Sequence, residues 1–144
     1  MPLGDRHLQR QFSRGPITGQ IICVTFSAPG TALVIDPAFK WSNAFGAARL
    51  MKVVANTTAM TGTTLAIDTT AGAVLGATAI ASNAGKVFGP ATSDVVFSGA
   101  SATRDMALND VLTLTIAHGT SFANLVLTAY IWVKDFPILD EAND

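Results

Sequence analysis

A chain of 144 residues and 14.9 kDa is long enough for one domain with a substantial core and too short for two. Hydrophobic residues make up 49% and charged residues 13%, about half the usual charged share, which excludes a disordered or highly charged protein. Nine Lys and Arg against ten Asp and Glu leave a formal net charge of −1, so bulk charge supplies no reason to bind nucleic acid or a membrane.

The first residues, Met1-Pro2-Leu3-Gly4-Asp5-Arg6-His7, lack the continuous apolar stretch of a secretory signal, which predicts a chain that is cytosolic when made. Charge divides the chain into an arm (1–16), a nearly neutral domain (17–136) and an acidic tail (137–144). In the arm Arg6, Arg10 and Arg14 recur every four residues with Leu8 and Phe12 between them, so in a helix the three guanidinium groups would share a face. The arm is expected to be an anchoring element, gripped either by neighbouring subunits or by a larger assembly. Nucleic acid is disfavoured, because three Arg and no Lys would neutralise few phosphates.

Within the domain, short runs alternate apolar residues with Thr, Ser or small residues and are broken by Gly, Pro, Asn and Asp, which predicts strands. Gly19–Ser27 and Thr31–Asp36 come first. Pro37 then opens the one expected helix, with Ala38, Phe39, Trp41, Ala44, Phe45, Ala47 and Ala48 following. Further strands are expected at Arg49–Asn56, Thr63–Asp68, Ala73–Ala81, Lys86–Phe88 and Asp94–Ser98. The Ala-, Gly- and Thr-rich stretch from Thr57 to Gly85 has no fixed period, which argues against a solenoid. Its most apolar part, Ala71 to Ala81, is too short to span a bilayer.

Two runs close the domain. In Val111–Ala117, Leu112, Leu114 and Ile116 share one face. From Leu125 on, Leu127 and Ile131 belong to one face and Val126, Tyr130 and Trp132 to the other; two apolar faces on one strand need cover on both sides, so the second is expected to be an oligomer interface. His118-Gly119-Thr120-Ser121 between them is short and flexible enough for a hairpin turn. About nine short strands suggest a sandwich or barrel, with a core fed by Ile22, Val24, Phe26, Leu33, Ile35, Leu65, Ile67, Leu112, Leu114, Ile116, Leu127 and Ile131.

No catalytic constellation emerges, and neither a cofactor nor a small-molecule substrate is expected. His7, His118 and Cys23 lack metal-ligand spacing. Cys23 sits inside a strand with no base identifiable beside it, which predicts a buried, inert thiol. Asp36, Asp68, Asp94, Asp105 and Asp110 fall at strand ends where turn chemistry explains them. Gly72-Ala73-Val74-Leu75-Gly76 is followed by no Lys-Ser or Lys-Thr, so it is not a phosphate loop. What remains is a surface of Thr, Ser, Ala, Asn and Gly with interspersed apolar side chains, of a kind suited to burial against partners.

The closing pattern, Asn109-Asp110-Val111-Leu112-Thr113-Leu114-Thr115-Ile116, a Gly-containing turn, and Leu125-Val126-Leu127-Thr128-Ala129-Tyr130-Ile131-Trp132-Val133, resembles the jelly-roll decoration, or cement, proteins of tailed-bacteriophage heads. The resemblance covers roughly the last forty residues of the domain. It implies an all-β, jelly-roll-like sandwich with an extended N-terminal arm, located on the capsid surface of the virion. It further implies a homo-oligomer, a trimer by preference, that binds the major capsid protein and carries no catalytic residues. The alternative is a receptor- or glycan-binding head module of a phage fibre, which would want aromatics clustered beside Asp or Asn and has only Trp41 and Trp132 to offer. A small coat protein with a nucleic-acid-binding arm would want a richer Lys/Arg run.

Overall fold

The computed structural model describes residues 19–28, 38–57, 59–61, 63–80, 85–117 and 121–134. They form β1 (Gly19–Ala28), β2 (Ala38–Ser42), β3 (Ala47–Asn56), β4 (Ala59–Thr61), β5 (Thr64–Thr69), β6 (Gly72–Ala79), β7 (Lys86–Gly89), β8 (Val95–Val96), a 3-10 turn (Ser101–Arg104), β9 (Asp105–Ala107), β10 (Val111–Ala117), β11 (Ser121–Ala123) and β12 (Leu125–Lys134). The larger sheet runs β1-β12-β3-β7-β8, with β9 paired to the far end of β3. The smaller sheet runs β2-β10-β5-β6, and β11 pairs with β4 as a separate ribbon. The two main sheets pack face to face over one core, so the protein is an all-β sandwich.

Period-two patterning produces this core directly. Leu112, Leu114 and Ile116 of β10 are fully buried, as are Leu65 and Ile67 of β5. From the opposite sheet, Leu127, Ala129, Ile131 and Val133 of β12 meet Leu50, Val53 and Ala55 of β3 in the same layer. Each large side chain buried this way contributes about 1.5–3 kcal/mol of transfer free energy. Ile22, Val24 and Phe26 of β1 point inward as expected but are only partly buried, because β1 lies at the margin of its sheet. Leu33 and Ile35 lie outside the described residues.

Two expectations are overturned. The helix after Pro37 does not form: Ala38–Ser42 is a strand paired to β10, and Ala47 and Ala48 open β3. Asn43, between the two strands, explains this. Its side chain is fully buried, donates from Nδ2 to the carbonyls of Met106 (3.2 Å) and Ala107 (2.9 Å), and accepts from the Phe45 N–H at 3.0 Å. Its backbone N–H donates to Asp110 O and its carbonyl accepts from Asn109 N–H, at 2.8 and 2.7 Å. A helix would have turned these groups onto its own backbone, whereas here Asn43 fastens the β2–β3 bend to the β9–β10 turn. The second correction concerns β10 and β12, which do not form a hairpin. β10 pairs with β2 and β5, while β12 pairs with β1 and β3. Each strand has an apolar inward face, and the pair serves the core best from opposite sheets, with β11 carrying the chain across.

Candidate functional site

The side chains on the outer face of the larger sheet follow from its register. Tyr130 of β12 stands opposite Cys23 of β1 and Lys52 of β3; Trp132 stands opposite Ile21 and Arg49; Thr128 stands opposite Thr25 and Val54. Between Tyr130 and Ile131 the pairing with β3 shifts by a residue, and this bulge leaves Met51 and Lys52 both exposed. Ile21 is 50% and Met51 38% exposed, values high for large apolar side chains. Val54, Val126, Tyr130 and Trp132 are half-buried. Three of the sequence-expected interface residues, Val126, Tyr130 and Trp132, thus share this face.

The two cations in the middle of the face are both engaged by their own chain. Lys52 places its Nζ 4.6 Å from the centroid of the Tyr130 ring. Arg49 donates from Nη1 to Asp105 Oδ1 at 2.6 Å and to Ser101 O at 3.2 Å, and from Nη2 to Ser101 Oγ at 2.6 Å. Arg49 thus keeps its carboxylate when the face is covered, which lowers the desolvation cost of docking a protein there, and the Tyr130 ring offsets part of that cost for Lys52. The Trp132 indole packs against Gly19 of β1, where an added Cβ would fall within 2.5 Å of Nε1. Trp132 also lines an open depression of about 540 Å³, together with Ala47, Arg49, Asp105 and Asp110 among others.

Cys23 corrects an expectation. It is exposed rather than buried, because the inward positions of β1 are Ile22, Val24 and Phe26, and Cys23 falls between them. Asp94 and Asp110 have the turn roles their positions suggested, accepting from the N–H groups of Val87 (2.9 Å) and Ala107 (2.8 Å). Trp41 is on the inner side of β2, packed against the core, so the two tryptophans do not cluster. Arg6, Leu8, Arg10, Phe12 and Arg14 of the arm, His118, and the acidic tail lie outside the described residues. Among the described residues no group of three or more His, Cys, Asp or Glu could hold a metal ion, and no helix is long and apolar enough to cross a membrane.

Alternation along one strand places Val126, Tyr130 and Trp132 on this face but gives no sign that Met51, Lys52 and Arg49 share it. A bulge has no signature in a single sequence, and the Arg49–Asp105 pair spans 56 residues. The fold and this face define a β-sandwich with one broad, sparsely charged sheet surface. No family model matches the chain, and neither a curated protein nor a solved structure matches it.

Proposed function

We propose that this is a virion structural protein, a capsid decoration or cement protein that binds the assembled major-capsid-protein lattice and stabilises the head. The observation that supports it best is the outer face of the larger sheet, where Ile21, Met51, Val54, Val126, Tyr130 and Trp132 lie around two cations already engaged within the chain. Such a face suits burial against protein and offers no arrangement suited to chemistry on a small molecule. Binding the assembled lattice in preference to free subunits would stabilise it by mass action, with many weak contacts adding through multivalency. The jelly-roll connection, a homo-oligomer and the arm contacts through Arg6, Leu8, Arg10, Phe12 and Arg14 belong to the same proposal. The outer face is covered by the lattice or by neighbouring copies of the chain.

The test is sedimentation of the protein with intact undecorated heads and, separately, with unassembled capsid protein. A fixed copy number on heads, little binding to free subunits, and weaker binding of Trp132→Ser are expected. No binding to heads at any salt concentration would remove the proposal. The glycan-binding alternative is favoured by one feature only, the depression that brings Trp132 beside Asp105 and Asp110; retention on a glycan array that Trp132→Ser abolishes would select it.

A further inference from the structure

β1 is the margin of the larger sheet: among the described strands it pairs with β12 and with no other. Ten residues are in unbroken register from Gly19 to Ala28, and the strand contains no charge, no proline and no bulge. Among the described residues no strand pairs with its other edge, and a row of backbone donors and acceptors of that length is a template for another strand, which proteins that must stay apart blunt. Among the described strands, the other margins of the two main sheets are blunted. β2 has five residues and carries Lys40; β6 is interrupted by two register shifts; β8 has two residues; β9 has three, one of them Asp105.

A second observation lies beneath the same edge. The inward residues of β12 are fully buried, whereas Ile22, Val24 and Phe26 of β1 and Phe39 and Trp41 of β2 are only partly so. Phe26 and Phe39 meet across the gap between the sheets at 5.4 Å between ring centroids. One flank of the sandwich is thus apolar and incompletely covered, directly under the unblunted edge.

We propose that β1 pairs antiparallel with β1 of a second copy about a two-fold axis, extending the larger sheet across a dimer. The inference goes beyond the decoration reading and does not depend on it, and it puts a two-fold pair in place of the trimer that the resemblance implies. A second copy fits for three reasons. The strand is neutral, so no charge selects a different partner. Isologous pairing closes after two chains and leaves no open edge for further growth. The partner's β1 and β2 would also bring the same apolar flank against Phe26, Phe39 and Trp41.

The alternation of the strand restricts the register, because directly opposed residues of an antiparallel pair point to one face. Odd-numbered residues of β1 face outward and even-numbered ones inward, so opposed residues must have numbers summing to an even value. Near-complete overlap leaves two registers. In one, Cys23 faces its own counterpart, with Cα atoms about 4.5–5.5 Å apart and within disulfide reach. In the other, Val24 faces Val24 of the partner subunit, Ile22 faces Phe26 of the partner subunit, and the two Cys23 residues are diagonal neighbours about 7–8 Å apart.

The experiment uses the purified full chain without capsid heads, so its outcome is independent of lattice binding. Sedimentation under reducing conditions is expected to give a dimer or a higher even-numbered assembly. A short bismaleimide should link two chains through Cys23 in either register, and mild oxidation should do so only in the first. Cys23→Lys, which opposes two like charges across the axis at an exposed position, should shift the mass to half, whereas Cys23→Ser should not. Met51→Glu, on the same face two strands away, separates edge pairing from face-to-face packing and should leave the mass unchanged. A monomer, a trimer, absence of the bismaleimide product, or dissociation by Met51→Glu equal to that by Cys23→Lys overturns the proposal. The cross-linking is read on the unmodified chain and holds whether or not Cys23→Lys folds.

Discussion

Individual residues account for much of the strain and the specificity of this fold. Asn43 engages three backbone groups through its side chain while fully buried, so Asn43→Ala takes the side-chain acceptor from the Phe45 N–H and a donor from two carbonyls. Ala107 O keeps its bond from the Asp110 N–H, so the cost centres on the buried Met106 carbonyl, about 1–3 kcal/mol, and chemical denaturation of this variant should show a loss of that order. Gly99 donates to Val74 O at 2.9 Å and lies so close to β6 that an added Cβ would collide with the Ala73 carbonyl. A backbone atom cannot swing aside as a side-chain tip can, so Gly99→Ala should destabilise by about 1–3 kcal/mol in the same assay. Thr92 has the opposite sign. It is a β-branched residue at φ 77°, and its replacement by Gly should raise stability by up to about 1 kcal/mol, the relief of left-handed strain exceeding glycine's entropic cost.

At the scale of elements, β10 and β12 are interior strands of opposite sheets, and both could be read from alternation alone. Leu114 is the middle inward residue of β10 and fully buried, so Leu114→Ala should cost about 2–5 kcal/mol by urea unfolding, transfer and cavity terms together. β2 was illegible for a physical reason. Its alternation is brief, with Phe39 and Trp41 as the only inward aromatics, and the Pro37 and alanines around it satisfy helical preferences equally well. Pairing with β10 over five residues, together with the Asn43 fastening, decided the matter, and neither lies within the local window. The three-residue strands β4, β9 and β11 were missed because so short a run has no period to detect.

For the whole molecule, the register places Gly19 opposite Lys134, so the segment before Gly19 and the segment after Lys134 depart from one corner of the larger sheet. The first holds Arg6, Arg10 and Arg14, and the second Asp135, Asp140, Glu141 and Asp144. Under the decoration proposal these complementary charges belong to one attachment region beside the Trp132 face. Exposed ion pairs contribute only about 0–1 kcal/mol each, so Leu8 and Phe12 should matter as much as the arginines. Deleting residues 1–13 should leave thermal unfolding of the sandwich unchanged and lower occupancy on heads in a pelleting assay, and salt should weaken attachment without abolishing it. Equal binding of truncated and full-length chains at every salt concentration would show that the arm is no anchor.

The all-β class, most strand positions and the inward residues of β5, β10 and β12 were determined by the sequence itself, since a period of two is a local property that burial then uses on one side. Which strands pair was not. β10 and β12 are separated by only seven residues yet belong to opposite sheets, because a sandwich core requires apolar faces from two directions and chain proximity does not enter that requirement. The outer face divides in the same way. Val126, Tyr130 and Trp132 could be read from one strand, whereas Ile21, Met51, Lys52 and Arg49 join them only through cross-strand register and a bulge. The outward position of Cys23 was legible in its alternation with Ile22, Val24 and Phe26, whereas the place of β1 at the margin of the described sheet was decided by tertiary structure, because no residue within a strand encodes what lies beside it.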